Sequence, residues 1–375
     1  MDTAPAQNSP KSPPRLLSID ALRGFDMFWI IGGDALVVAL AKWADWPFKA
    51  RVEEQLEHVE WDGFHFYDLI FPLFLFVVGA VLPFSLTAHQ QKGQSTLSIY
   101  GRIFRRTLLL FALGLVYNNV LQLEFKELRI AGVLQRIAIC YALAALIVLH
   151  VGWRGQAFVT AAILLGYWAL LAFVAPPGGQ AGDFTKEGNL AGFVDRNFLP
   201  GKIYDEYYKY GDNEGLLSTI PAVATALLGA LAGQWLRSSA SAGRKVIGLI
   251  GAGAVCLAVG YGWGFFLPII KNIWTSSFVL FAGGWSLLLL AFFYGVIDAI
   301  GFRWWAFFFI VIGSNAIFIY IAPRIVDFEY TAHALFGGLV RRSSTFEPVA
   351  VLLSVLAVKW LILLFLYRKR WFLRA

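Results

Sequence analysis

The chain has 375 residues, of which 58% are apolar and only 15% are charged, and its formal net charge is +7. Because soluble globular domains carry about 25% charged residues, this composition excludes an ordinary soluble enzyme. Many of the basic residues lie in short segments between apolar runs, a pattern that orients membrane proteins and gives no indication of nucleic-acid binding.

The first element is a polar, proline-rich stretch over residues 1–16, which we expect to be a disordered tail. It lacks the apolar core and the small-residue cleavage site of a signal peptide. Residues 17–375 show no internal repeat and are predicted to form one transmembrane domain. Cys140 and Cys256 both lie in apolar runs, which predicts buried thiols and neither a disulfide nor a metal framework.

Apolar segments then follow one another along the chain, each long enough, or nearly so, to cross a hydrocarbon core of about 30 Å. Since a backbone in lipid must satisfy its own hydrogen bonds, these segments are predicted to be helices. The sequence therefore predicts an all-α polytopic membrane protein, a single bundle of about ten transmembrane helices. The spans are expected near residues 25–41, 69–87, 107–121, 137–151, 156–175, 216–235, 246–267, 277–297, 304–322 and 349–367.

Basic residues in short loops predict the orientation of such a bundle, because they are retained in the cytoplasm. With ten spans, both termini fall on the side that carries most of them, so both are expected to be cytoplasmic. The longer loops, 43–63, 176–214 and 323–347, are then expected on the outer side. The basic residues assigned to the cytoplasm are Lys11, Arg15, Arg23, Lys92, Arg102, Arg105, Arg106, Arg154, Arg237, Arg244, Lys245, Arg303, Arg368, Lys369, Arg370 and Arg374.

The first span contains ionisable residues, which are costly in a bilayer and therefore indicate function. Asp20 and Arg23 are spaced to pair on one helix face, either as a structural ion pair or as part of a ligand site. Asp26 follows one turn later. Asp34 lies near the outer end of the span beside two glycines, which allow close approach by a neighbour or a ligand.

The segment before the second span contains His58, and Asp68 lies where the chain enters the membrane. The chain has five histidines, and His58, His65 and His333 are the three expected on the outer side. Histidine is the side chain best suited to proton transfer or acyl acceptance near neutral pH. His58 is therefore a candidate catalytic residue.

Later spans add a few polar side chains. Arg136 either extends towards the interface or, with the adjacent Gln135, lines a polar pocket. Lys271 and Asn272 precede the eighth span, and Asn315 lies in the middle of the ninth. Lys359 in the last span is left without a role. Motifs of nucleotide-driven pumps, zinc proteases and serine hydrolases do not occur.

Seven stretches, taken in order, resemble the heparan-α-glucosaminide N-acetyltransferase family and its bacterial relatives, a group of transmembrane acyltransferases. They run through nearly the whole membrane domain, and their order makes the resemblance specific. The stretches are DALRG (20–24), HVEWDG (58–63), DLIFPLFLFVVG (68–79), RIAGVLQR (129–136), DNEGLLSTI (212–220), KNIW (271–274) and GSN (313–315) with Tyr320.

The resemblance implies transfer of an acetyl group from cytosolic acetyl-CoA to the amino group of a glucosamine-type sugar on the outer side of the membrane. It also implies a bacterial inner (plasma) membrane location. The family's catalytic histidine precedes a Trp-x-Gly, as His58 does here. The family has an asparagine at the outer end of the preceding helix, where this sequence has Asp34. After Tyr320 the animal enzymes have a histidine, whereas this chain has Ala322, Pro323 and Arg324.

These implications assign roles to the polar residues. His58 would either accept the acetyl group or deprotonate the acceptor amine, and Asp34 or Asp62 would orient its ring. A donor to the thioester oxygen would come from Asn272, Asn315 or Trp61. The predicted acetyl-CoA residues are Arg23, Arg102, Arg105, Arg106 and Arg136, although Arg102, Arg105 and Arg106 are equally explained by topology. The predicted acceptor residues are Trp61, Asp62, Asp68, Lys271, Asn272 and Asn315.

The expected partners are acetyl-CoA, an amino sugar or glycan acceptor and the lipid bilayer; a homodimer is possible, and neither a metal nor a nucleic acid is expected. Two other functions stay open. One is O-acetylation of a cell-envelope glycan, which uses the same donor. The other is solute transport, although we find no clear inverted repeat or broken helix of the kind transporters show. A non-catalytic scaffold would leave the polar residues of the first two spans unexplained.

Overall fold

The computed structural model describes residues 16–91, 93–125, 127–203 and 208–373. Within these ranges the regular structure is helical, and β pairing is limited to two isolated bridges. The predicted all-α polytopic fold is therefore confirmed. The predicted tail, residues 1–16, lies outside the described residues except for Leu16. Lys92 and Arg374, which contributed to the predicted orientation, also lie outside them.

Some helices follow one another with short connections, and longer segments lie around residues 56–69, 118–132, 174–189, 199–215, 265–275 and 294–305. Short 3₁₀ and π turns extend several of the helices. The α-helices are α1 (Leu17–Phe28), α2 (Asp34–Trp43), α3 (Lys49–Gln55), α4 (Ile70–Gln91), α5 (Thr96–Tyr117), α6 (Val133–His150), α7 (Trp153–Phe173), α8 (Leu190–Phe198), α9 (Leu216–Arg237), α10 (Ala242–Gly264), α11 (Ser276–Phe293), α12 (Ala306–Ser314), α13 (Ala316–Ile321), α14 (Phe328–Val340) and α15 (Glu347–Arg368).

Eight segments of the described chain are long and apolar enough to cross a membrane, and each corresponds to a predicted span. The predicted span near 304–322 is a broken pair, in which α12 and α13 are bent by 73°. The predicted span near 107–121 corresponds to α5. Its 22 residues are long enough, about 33 Å, but they include Arg102, Arg105 and Arg106. The eight spans are Leu17–Trp43, Phe66–Gln91, Val133–His150, Trp153–Phe173, Leu216–Arg237, Ala242–Gly264, Ser276–Ala299 and Ser344–Arg368.

The first span is interrupted between α1 and α2 by a π-helical turn over Trp29–Gly33. Gly32 lies there at φ 118°, a conformation that glycine adopts without strain. The backbone carbonyl of Ile31 accepts a hydrogen bond from Lys359 Nζ at 2.8 Å. Lys359, which the sequence left without a role, thus connects the last span to the break in the first.

Glycines bring the central helices into backbone contact. A Cβ atom on Gly79 of α4 would overlap the backbone of Ala226 in α9, and one on Gly229 would overlap that of Phe76. Gly24 of α1 meets the backbone of α12 in the same way. Small residues are what allow helices to approach this closely in a membrane protein. The tight α4–α9 and α1–α12 pairs form the frame around the cavities described next.

Candidate active site

Two cavities lie end to end along the bundle. We call the one that contains His58 the outer cavity, with a volume of about 460 Å³, and the other the inner cavity, of about 630 Å³. Along the second span, the wall of the outer cavity begins at Tyr67 and that of the inner cavity ends at Ala88. Twenty-one helical steps separate these residues, which is about 32 Å, so the cavities together extend over the thickness of a bilayer.

Four residues line both cavities: Phe74 of α4, Leu134 and Ile137 of α6, and Ile317 of α13. We call them the apolar partition. Phe74, Leu134 and Ile137 are each less than 9% exposed. Among the described residues, these four are the ones that line both cavities, so the cavities adjoin at a group of hydrocarbon side chains.

His58 is held by a buried carboxylate. Its Nδ1 atom lies 2.8 Å from Asp68 Oδ1, and the Asp68 side chain is only 1% exposed. The second oxygen, Asp68 Oδ2, accepts hydrogen bonds from the backbone N–H groups of Val59 at 3.2 Å and His65 at 3.0 Å. With these bonds the ionised carboxylate fixes both the loop and the ring orientation.

Lys271 completes the cluster from a distant part of the chain. Its Nζ atom lies 2.8 Å from His58 Nδ1, 3.3 Å from His58 Nε2 and 3.2 Å from Asp68 Oδ1. A backbone bridge between Asp62 and Ile270 fastens the two loops together, and Gly63 N donates to Ile269 O at 3.0 Å. The bridge explains how residues 213 positions apart meet.

The surroundings favour a neutral imidazole. Burial lowers the pKa of His58; the hydrogen bond to Asp68 raises it, the charge of Lys271 lowers it further, and the net direction is downward. Burial also lowers the pKa of Lys271, against the opposing effect of Asp68. Asp68 Oδ1 can accept hydrogen bonds from both His58 Nδ1 and Lys271 Nζ, so we assign the imidazole proton to Nδ1. Lys271 Nζ then lies beside Nδ1 as a charge and not as a hydrogen-bond partner, and Nε2 carries the lone pair. This is the arrangement of a general base or a nucleophile near neutral pH.

Other charged groups line the outer cavity. Arg129 bonds Asp212 through Nε at 2.9 Å and Nη2 at 2.5 Å, and it also pairs with Glu214. Burial opposes the charge of Arg129, but the two carboxylates raise its pKa above the ordinary value. Asn213 Oδ1 is buried at the cavity wall with no hydrogen-bond donor among the described residues. The rings of Tyr117 and Tyr320 stack at 4.8 Å on another wall.

The inner cavity carries two of the predicted arginines. Arg23 pairs with Asp20, and both residues line the cavity. Arg106 lines it as well, with its guanidinium 4.4 Å from the centre of the Tyr141 ring. The Asp20–Arg23 pair predicted from the spacing is confirmed.

The remaining predicted acetyl-CoA arginines lie elsewhere. Arg102 and Arg105 are exposed on α5 and are absent from the walls of both cavities. Arg136 is buried, donates to Ser218 and to Gly215 O at 3.3 Å, and lies 5.0 Å from the centre of the Trp274 ring. Arg136 therefore packs behind Trp274, which lines the outer cavity, and does not itself line either cavity.

The predicted orienting carboxylates are corrected. The structure brings Asp68 to His58, whereas Asp34 begins α2 within electrostatic range of Lys359. Asp62 has an exposed side chain and contributes its backbone to the bridge with Ile270. Asp34 was predicted from its place beside two glycines and from the resemblance, matched by helical spacing, and the π turn over Trp29–Gly33 changes that spacing.

Three predicted acceptor or oxyanion residues, Trp61, Asn315 and Asn272, are absent from the walls of both cavities, and the first two make structural contacts. Trp61 Nε1 donates to Phe184 O at 2.8 Å. Asn315, at the break between α12 and α13, donates to Trp371 O at 3.0 Å and accepts from Leu373 N at 3.0 Å. Asn272 is buried beside Lys271 and does not line either cavity. Of the predicted acceptor residues, Lys271 lines the outer cavity, and Asp68 reaches it through His58.

The sequence did not single out Tyr67, Arg129, Glu214 or Tyr117 as site residues, although the structure places all four on the outer-cavity wall. A signal existed for two of them. Arg129 and Glu214 lie in the stretches RIAGVLQR and DNEGLLSTI, and each is a charged residue next to a predicted span. Charged residues are common at membrane boundaries, so their position in the sequence does not reveal an ion pair formed between loops.

Fold and site together define a polytopic all-α membrane protein in which a buried aspartate holds a histidine and a lysine at the wall of one of two adjoining cavities. Comparison with known proteins identifies two relatives of this chain. The chain is 27% identical over 372 residues to the human heparan-alpha-glucosaminide N-acetyltransferase, covering 84% of this chain and 53% of the relative. The mouse protein of the same name is 27% identical over 374 residues, covering 84% and 54%.

Residues 15–124 match a family described as a domain of unknown function (DUF5009). The chain spans about half the length of the curated relatives it matches. The resemblance to the heparan-α-glucosaminide N-acetyltransferases predicted from the seven stretches is confirmed.

Proposed function

We propose that this protein is a transmembrane acetyltransferase that moves an acetyl group from acetyl-CoA to the amino group of a glucosamine-type sugar. One observation carries the proposal. A neutral, carboxylate-oriented His58 faces a cavity that adjoins, at a group of apolar side chains, a second cavity containing Arg23 and Arg106. The named activity of the human and mouse relatives supports the same reaction.

The inner cavity is the proposed donor site. CoA is a multiply charged nucleotide that does not enter hydrocarbon, so its phosphates need cations at one end of the bundle. Arg23 and Arg106 supply guanidinium groups, which suit phosphate recognition. We place this end and both termini on the cytoplasmic side, in accordance with the basic residues of α5 and α15. The acceptor would then reach the outer cavity from the opposite side.

The outer cavity is the proposed site of the reaction. Its volume of about 460 Å³ lies in the range of small-molecule pockets. The carboxylate of Glu214 and the buried Asn213 Oδ1 offer acceptors for the amine and hydroxyl groups of a sugar. Because carboxylates and cations both line this cavity, it suits a polar, amine-bearing acceptor better than an apolar one.

In the direct route, His58 Nε2 takes a proton from the acceptor amine while the amine nitrogen attacks the thioester carbonyl. A carbon–nitrogen bond forms, the carbon–sulfur bond breaks, and the leaving thiolate is protonated by the imidazolium. Asp68 accepts the Nδ1–H bond throughout and stabilises the positive ring. The Lys271 ammonium, 3.3 Å from Nε2, is placed to stabilise the oxygen on which negative charge develops.

In the alternative route, Nε2 itself attacks the thioester carbonyl and displaces the thiolate, which leaves an acetylated His58. The acceptor amine then attacks the acetyl carbon, the new carbon–nitrogen bond forms as the bond from carbon to Nε2 breaks, and the proton lost by the amine is taken up by the thiolate, which leaves as the CoA thiol. Both routes use the same groups in the same positions. They differ in whether the protein carries the acetyl group before an acceptor is present.

The test is a transfer assay with radiolabelled acetyl-CoA and purified protein in detergent, with glucosamine-type sugars and with analogues that carry only hydroxyl groups. His58→Ala should lower transfer by about 10²–10⁴-fold. The matched control is His65→Ala, because His65 lies in the same loop but its Nδ1 contacts the backbone of Glu57.

Near-normal transfer by His58→Ala would overturn the catalytic assignment. Transfer to hydroxyl groups alone would redirect the proposal to O-acetylation of a glycan, and uptake of sugar without acetyl transfer would redirect it to transport. Label that stays on the wild-type protein without acceptor, and is absent from His58→Ala, would identify the acetyl-histidine route.

A further inference from the structure

The apolar partition lies on the path that the acyl group must take. If the phosphates of the donor stay beside Arg23 and Arg106, the thioester end of the molecule leads towards His58. The two cavities meet at the partition, so the acyl group must pass its side chains before the thioester carbonyl comes near the imidazole. This step rests on the proposed function.

The partition has the properties of a steric filter. It brings together side chains from α4, α6 and α13, and its members offer no hydrogen bond to a passing group. Phe74, Leu134 and Ile137 are packed with little exposure. Protein interiors are close-packed, so such a layer admits extra volume only at a cost. A straight acyl chain is no wider than the arm that carries it, whereas a branched or aromatic acyl group is wider.

We propose that Phe74, Leu134, Ile137 and Ile317 determine which acyl group the protein transfers, by admitting narrow acyl groups and excluding branched or aromatic ones. Selection then occurs between the cavities, before the acyl group reaches the acceptor. Phe74 is the largest of the four side chains and supplies most of the obstruction. Shortening it should widen the passage without altering the His58 cluster, which lies at the start of the same span.

The experiment compares acetyl-CoA, isobutyryl-CoA and benzoyl-CoA as donors to one fixed amino sugar. Wild type should transfer acetyl much faster than the bulky groups. Phe74→Ala should raise the ratio of isobutyryl to acetyl transfer by about tenfold or more, the discrimination expected of one or two carbon atoms in an apolar site. Ile137→Val, a milder change in the same layer, should raise the ratio in the same direction.

The matched control is Phe76→Ala. Phe76 lies on the same helix and is fully buried, but it lines neither cavity, so the loss of core volume is comparable. Size-exclusion chromatography of each variant reports whether it is folded. If Phe74→Ala does not fold, the ratio for Ile137→Val decides the question.

Three results would overturn the inference while leaving the proposed function in place. The first is an unchanged ratio of isobutyryl to acetyl transfer in both Phe74→Ala and Ile137→Val. The second is an equal rise of that ratio in Phe76→Ala. The third is equal transfer of all three acyl groups by wild type. Failure of wild type to transfer any acyl group would instead overturn the proposed function, and this inference with it.

Discussion

The outer and inner cavities lie end to end in one bundle, yet their walls carry different chemistry. The outer cavity contains His58 and Lys271, with Asp68 directly behind them, in contact distances of 2.8–3.3 Å. The inner cavity contains Arg23 and Arg106, whose guanidinium groups suit anion binding. One end is therefore built to exchange protons and the other to hold fixed charge.

Under the proposed function, this difference separates recognition of the donor from the chemistry performed on it. Fixed cations need only to be near the donor phosphates, and an approximate position is sufficient for Coulomb attraction. Proton transfer needs atoms within hydrogen-bond reach. At the outer end, two backbone N–H groups hold the buried Asp68 in place, and Asp68 in turn fixes the position of the His58 ring.

The largest effect should come from Asp68→Asn. The amide retains the shape of the carboxylate but can donate to Nδ1, which favours the wrong tautomer of His58 and removes the negative charge beside the imidazolium. We expect kcat to fall by about 10²–10⁴-fold. Steady-state kinetics at varied acetyl-CoA provide the measurement, and KM for acetyl-CoA should change little. A variant that loses donor affinity at a normal kcat would contradict the division between the cavities.

An intermediate effect should come from Arg23→Gln in the inner cavity. Loss of one charge-assisted contact to a phosphate is worth about 1.5–3 kcal/mol, so KM for acetyl-CoA should rise by about tenfold or more while kcat falls much less. Arg102→Gln is the control, because Arg102 is exposed on α5 and contacts Gln94. Equal changes in KM for both variants would mean that general positive charge, and not the inner cavity, attracts the donor.

The smallest effect should come from Lys271→Gln, and it should appear in the pH profile. The positive charge of Lys271 is one cause of the lowered pKa of His58, so its removal should raise that pKa. The rising limb of kcat/KM against pH reports the fraction of neutral His58, and it should move to higher pH. A limb that does not move, or that moves to lower pH, would show that Lys271 does not act on the imidazole through its charge.

The sequence allowed prediction of the helical fold and of His58, since both depend on local patterns. Apolar runs of sufficient length must be helices in lipid, and a histidine ahead of Trp-x-Gly is a short motif. The sequence also identified the Asp20–Arg23 pair, because one helical turn separates the two residues. These features are decided within about a dozen residues of chain.

The rest depends on loops that meet in space. Asp68 reaches back to His58 because the loop between them turns at Gly63, whose φ is 128°. The orienting carboxylate is Asp68 and not the predicted Asp34, and regular helical spacing does not hold up to Asp34 because a π turn precedes it. Arg129 contacts residues more than 80 positions away, and no periodicity encodes such a pair.

The bridge between Asp62 and Ile270 has a consequence for how the protein is made. While the chain is being synthesised, His58 and Asp68 emerge early, but Lys271 follows 213 residues after the histidine. At roughly 5–20 residues per second, that interval is about 10–40 s. During this time the loop around His58 cannot form its backbone bridge with Ile270, and the Lys271 ammonium is missing from the cluster. The full set of contacts between His58, Asp68 and Lys271 thus forms only after residue 271 has been synthesised, so the site is assembled late in the making of the protein.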